Sequence, residues 1–320
     1  MTSEHENPPP PEPTPAGTAA PVAAIKSAGE AVPAQAASPP ATPQTAQKIW
    51  LCADDFGLSP KVNEAICDLI LRGRINATSA MVVAPAFSRA ETLPLSIFRS
   101  GSQRAALGLH LTLTAPFRPL SPIYAPLRAG AFPPLKTMLT AALLRRLEPE
   151  RIAVEVGAQI KAFIAAFGHA PDFVDGHQHV HVFPQVRDAV IAAVKQAAPQ
   201  AWLRQCSRGP WLGAAFSDPK GLLIDRLSRG LRRRAAIAGL KTNPAFAGTY
   251  SFKASADYAA LFPRFLKDLP DGSVVMCHPG HVDDTLRRLD PLTDLREKEY
   301  AYFAGDNFPR VLQANGVTLA

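Results

Sequence analysis

From Lys48 onward, short apolar runs alternate with stretches whose large apolar residues recur every three or four positions. That alternation is the signature of strands followed by helices in a largely parallel sheet. Lys48 to Ala53 reads as a first strand, and Ser59-Pro60 opens a helix to about Arg72 that Gly73 closes; proline is well suited to a first helical turn. Ala77 to Val83 and Ala105 to Thr114 read as the second and third strands. Pro149 to Phe167 is the clearest helix, with Ile152, Val156, Ile160, Phe163 and Phe167 on one face and Gly168 after it. Phe173-Val174 begins a fourth strand, Pro184 to Ala197 is helical, and Trp202 to Gln205 is a short fifth strand. Further on, Asp218 to Gly239 and Asp257 to Leu269 read as helices, and Gly272 to Cys277 as a strand. Lys298 to Asn315 reads as one helix, before a closing strand at Val317 to Leu319. Seven or eight such repeats point to an α/β protein built as a (β/α) barrel, with a doubly wound open sheet as the alternative. Arg118 to Leu135 and Ser207 to Ser217 read as long loops over one face, and long loops in a compact domain usually carry function.

Composition changes this picture at one end. Residues 1–46 are dominated by Pro and Ala, with Pro8 to Pro11 unbroken. Such a segment buries too little apolar surface to offset the entropy of ordering it, so a disordered tail is expected before a single domain at 47–320. Glu4, His5 and Glu6 stand where a secretory signal would be basic, so no signal peptide is expected. The four cysteines have neither zinc-type spacing nor the density of a disulfide scaffold, which suits a reducing, cytoplasmic setting. The formal charge of +7 is concentrated: Arg226, Arg229, Arg232, Arg233, Arg234 and Lys241 crowd one predicted helix. That helix is either an ordinary barrel helix with a solvated face or a peripheral contact to an anionic inner-membrane surface around Arg232. Aromatic residues are not interleaved with these arginines, which argues against nucleic acid.

The chemistry-bearing residues gather where the predicted strands end. The first strand runs into Asp54-Asp55-Phe56-Gly57, and the third carries Gly108-Leu109-His110. The fourth runs into Asp175-Gly176-His177-Gln178-His179-Val180-His181, and the late strand into Cys277-His278-Pro279-Gly280-His281. Six of the eight histidines therefore lie at strand ends, and in a parallel α/β domain those ends share the edge where sites are built. Taken singly, each has a plainer reading: a solvated turn for the aspartates, a core histidine for His110, a polar strand edge for the His177–His181 tract. Together they describe a metal site. One carboxylate plus two imidazoles leaves coordination positions for water and substrate. A second carboxylate then suits a general base, and a further histidine a general acid. The set points to hydrolysis of an amide or ester without a covalent intermediate. A phosphoesterase is the alternative, weakened because none of the four motifs contains Arg or Lys.

These four motifs, in this order, resemble the YdjC-like carbohydrate deacetylases, which include chito-oligosaccharide and hopanoid-associated members. The resemblance implies a distorted (β/α) barrel of the polysaccharide deacetylase type, a divalent metal such as Mg2+ or Zn2+, and an N-acetylated sugar or glycolipid substrate. Carried across by position, it implies that Asp55, His110 and His177 hold the metal and that Asp54 is the general base. It makes His278 the general acid or an oxyanion-side group, with His179 and His181 around the substrate or behind the ligands. The tract Asp175-Gly176-His177-Gln178-His179 departs from the Asp-Ser-His-His-His of chito-oligosaccharide members, and Ser207 to Phe252 matches neither subgroup. Both departures leave the sugar open.

Overall fold

The computed structural model describes residues 46–98, 104–208 and 219–320. The predicted tail, apart from Ala46, and most of the Ser207–Ser217 loop lie outside those residues. The element order is β1 (Gln47–Phe56), α1 (Pro60–Leu71), β2 (Ala77–Ala80), α2 (Arg89–Phe98), β3 (Ala106–Leu111), α3 (Leu135–Leu143), α4 (Pro149–Phe167) and β4 (Phe173–Gly176). A 3-10 turn at His177–Val182 leads to α5 (Val186–Ala197), β5 (Trp202–Leu203), α6 (Pro219–Ile237), β6 (Phe246–Ala247) and α7 (Tyr258–Leu266). β7 (Ser273–Cys277), α8 (Asp284–Leu289), α9 (Asp294–Ala304), α10 (Asn307–Ala314) and β8 (Val317–Leu319) complete the chain.

The strands form one parallel sheet in the order β5-β4-β3-β2-β1-β7-β6, with β8 paired to the start of β1. Its two ends are drawn together beyond β5. Leu203 pairs with Thr242, ahead of β6, and donates its N–H to the Lys241 carbonyl at 2.9 Å. The sheet is therefore curled into a distorted barrel rather than laid open. β1 from Ile49 onward, β2 to β4 and β7 are almost entirely buried on both faces, as strands flanked by crossover helices must be. The barrel interior is filled tightly: a Cβ added to Gly108 would lie 2.3 Å from the Phe173 ring.

Most predicted elements appear with shifted ends. One prediction is corrected: Lys298–Asn315 is two helices, α9 and α10, divided at Gly305-Asp306. The backbone leaves the helix at Gly305, φ −70° and ψ 156°, and side chains from both helices join the aromatic cluster of Phe262, Tyr302, Phe303 and Phe308.

Candidate active site

β1 does not end as a regular strand. Its register against β2 steps from Ala53–Thr78 to Phe56–Ala80, so one extra residue bulges out. Asp55 takes up the bulge in the left-handed region, φ 71°. A regular strand would send Asp54 and Asp55 to opposite faces; the bulge delivers both to one cavity. Gly57 follows at φ 98°, where a Cβ would lie 3.0 Å from the Met81 carbonyl oxygen. The turn out of the strand needs glycine.

That cavity, about 350 Å³, is lined by Asp54, Asp55, His110, His177, His179 and His278, among others. The Asp55 Oδ1 atom lies 3.2 Å from His110 Nε2 and 3.1 Å from His177 Nδ1. The other faces of Asp55 and His110 are already engaged. Asp55 Oδ2 accepts from Arg296 Nη2 at 2.6 Å, and His110 Nδ1 is 2.7 Å from Asp175 Oδ1. One carboxylate oxygen and two ring nitrogens are thus left converging on one point, all within 4.8 Å of one another. This donor set fits a divalent ion, and the Asp175 carboxylate behind His110 is the support such an imidazole ordinarily has.

Two residues that carry no motif complete the centre. Arg204, just past β5, is fully buried and grips Asp54 through two nitrogens at 2.6 and 2.7 Å. Its Nη2 also reaches Asp175 at 2.6 Å. Arg296, on α9, is fully buried between Asp55 and Asp290, at 2.6 and 2.7 Å. Burial alone would raise the Asp54 carboxyl, but Arg204 and then His110 more than offset it and bring it down to about 2. Asp55 is likewise held well below the carboxylate range against its burial, chiefly by Arg296. Burial disfavours a charged His110, yet Asp175 and Asp55 raise it to about 10. The absence of basic residues from the four motifs therefore does not describe the folded site, which holds two guanidinium groups, each paired with two carboxylates.

The His177–His181 tract is not a strand. It is a 3-10 turn in which Gln178 and His179 adopt left-handed φ of 54° and 60°. That fan separates the three histidines. His177 faces Asp55. His179 lines the cavity beside Cys206, whose Sγ is 3.5 Å from its Nδ1; burial, His181 and Arg204 lower His179 to about 3, so it is neutral. His181 lies outside the cavity lining, fully buried, and donates Nε2–H to the Arg204 carbonyl at 2.7 Å. It supports the strand end that carries Arg204, which matches the second of its two expected places, behind the ligands rather than around the substrate. Gly176 leaves room for it, since a Cβ there would sit 2.9 Å from His181 Nδ1. His278 reaches the cavity from the end of β7, with its N–H donated to Glu299 at 2.6 Å and its ring edge-on to Phe252, centroids 5.6 Å apart.

Fold and site together define a parallel barrel with an Asp/His/His donor cluster and a second, arginine-bound carboxylate at the carboxyl edge of its strands. The family model described as YdjC-like protein matches residues 48–314, and the chain belongs to that family. It is 36% identical to the chitooligosaccharide deacetylase of Proteus mirabilis over 247 residues, 73% of this chain and 82% of that protein. Against the chitooligosaccharide deacetylase of Klebsiella pneumoniae it is 31% identical over 246 residues, 72% of this chain and 81% of the relative. Among solved structures, one from Enterococcus faecalis, described as a cellobiose-phosphate cleavage protein, superposes with TM-score 0.64 at 22% identity. It covers 86% of this chain and 97% of its own, and that likeness concerns the fold alone.

Proposed function

We propose that this protein is a divalent-metal-dependent N-deacetylase that removes the acetyl group from an N-acetylated amino sugar carried on an oligosaccharide or glycolipid. The observation that carries the reading is the convergence of Asp55 Oδ1, His110 Nε2 and His177 Nδ1 beside the Asp54 carboxylate in one cavity. The named activity of its relatives in Proteus and Klebsiella supports it. Asp55, His110 and His177 are the residues that would hold the ion, which, when bound, supplies the charge that polarises an acyl oxygen and acidifies water.

Asp54 takes the proton of the attacking water. Held down at about 2, it is ionised throughout the physiological range. Arg204 fixes both of its oxygens, which sets the direction of approach rather than leaving the carboxylate to rotate. His278, which lines the same cavity, donates a proton to the departing amine, and Glu299 fixes the backbone that presents it. Neutral His179 and the Phe252 ring are available to the sugar. An amide fits better than a phosphoester because Arg204 and Arg296 are each already paired with two carboxylates. The test is acetate release from chito-oligosaccharides by purified protein supplied with Mg2+ or Zn2+. Asp54→Asn is expected to lose activity by about 100-fold or more, the scale of general-base catalysis. Full activity in Asp54→Asn would overturn the assignment.

A further inference from the structure

The segment from Ala115 to Leu147 has a composition unlike the rest of the surface. It contains Arg118, Arg128, Lys136, Arg145 and Arg146 and no Asp or Glu. It also supplies half of the large apolar side chains exposed among the described residues: Leu120, Ile123, Leu127, Leu143 and Leu144, each 44–54% exposed. The first acid beyond it, Glu148, is paired with Arg151 at 2.7 Å.

This segment is a folded flap. Ala115 N–H donates to Pro133 at 3.1 Å, Phe132 N–H to Phe117 at 2.9 Å, and Arg128 and Ala131 exchange both backbone bonds. The buried Glu155 of α4 accepts the N–H groups of Leu120 and Ser121 at 3.2 and 2.7 Å. Phe117, Tyr124 and Phe132 are buried and anchor the flap. The aliphatic side chains between these anchors face solvent although nothing in the flap's own packing requires it. α3 repeats the arrangement: Met138 and Ala142 are buried, and the exposed Leu143 and Leu144 run straight into Arg145 and Arg146.

Within the segment, exposed aliphatics are interspersed with cations and no anions, the exposed Glu148 and Glu150 lying just beyond it at the start of α4; such a segment complements a surface that is apolar inside and negative outside. We infer that the flap and the end of α3 form a docking surface for an anionic lipid bilayer. The root of the flap stands at the rim of the site, where the Phe117 ring meets His177 edge-on with centroids 5.9 Å apart. A docked flap therefore brings the cavity close to the headgroups. The inference concerns where the protein sits and does not depend on which bond it hydrolyses.

The test is sedimentation of the full chain with vesicles of phosphatidylglycerol and phosphatidylcholine, against vesicles of phosphatidylcholine alone. Pelleting is expected only with the anionic vesicles, weakening as salt is raised. The triple variant Ile123→Ser/Leu127→Ser/Leu144→Ser and, separately, Arg128→Glu/Arg145→Glu are each expected to weaken it by about tenfold or more. Circular dichroism and acetate release from a soluble chito-oligosaccharide should be unchanged in both. No pelleting, equal pelleting on neutral vesicles, or loss of pelleting only in an Arg232→Glu/Arg233→Glu variant of α6 would overturn the inference. A concentration-dependent dimer in ultracentrifugation that the triple variant abolishes would also overturn it, assigning the patch to a second copy of the chain.

Discussion

Replacing Arg204 with Met tests the electrostatic design of the centre most severely. The arginine, Asp54 and Asp175 are all essentially buried, and one guanidinium is paired with both carboxylates. Its removal leaves Asp54 with the Ser79 hydroxyl, at 3.4 Å, and the charge of His110. Breaking one buried ion pair from one side costs about 3–5 kcal/mol, and serving two carboxylates puts this site at the upper end. The pH dependence has a distinct sign. In the parent protein, Asp54 titrates at about 2 when folded against 3.8 ordinarily. It therefore contributes stability that is fully present above 3.8 and is lost as pH falls towards 2, worth about 2 kcal/mol. In Arg204→Met the largest influence lowering the carboxyl is gone while burial and His110 remain, so the folded value rises and the contribution shrinks. The variant should then lack much of the stability loss that the parent shows between about pH 4 and pH 2. The assay is urea unfolding of metal-free protein followed by circular dichroism at both pH values, with an unchanged slope in denaturant. Adding Asp54→Asn to Arg204→Met should restore part of the loss. A loss below about 1 kcal/mol, or parent-like pH behaviour, would refute the reasoning.

Two further outcomes follow from contacts at the same site. Asp175→Asn removes the carboxylate that orients His110 at 2.7 Å and should weaken divalent-metal binding by about 10–100-fold in calorimetry. Gly176→Ser places a side chain where a Cβ already lies 2.9 Å from His181 Nδ1, and should cost about 1–3 kcal/mol in denaturant unfolding.

The strand ends were legible in the sequence because their chemistry is local: Asp54-Asp55, His110, the His177 tract and His278 each terminate an apolar run. What brings them together was not. The left-handed Asp55 and the bulge it occupies are set by pairing with β2, and no pattern within β1 announces them. The fan of His177, His179 and His181 likewise depends on two left-handed residues that the alternating sequence suggested would be extended. Arg204 and Arg296 are single arginines 150 and 241 residues from the aspartates they pair with. The only hint of the first was an arginine at the end of a predicted strand, and the second sits in a helix among other charges. Buried charge partners distant in sequence leave no periodic signal, and here they set the state of both aspartates.

The most direct measurement of the central claim is a titration of chelated, metal-free protein with a divalent ion, following acetate release from an N-acetylglucosamine oligosaccharide. The account predicts that activity rises to a plateau near one equivalent of metal and that His110→Ala shows no such rise. Undiminished acetate release from the metal-free protein, or a parent-like titration in His110→Ala, would contradict it.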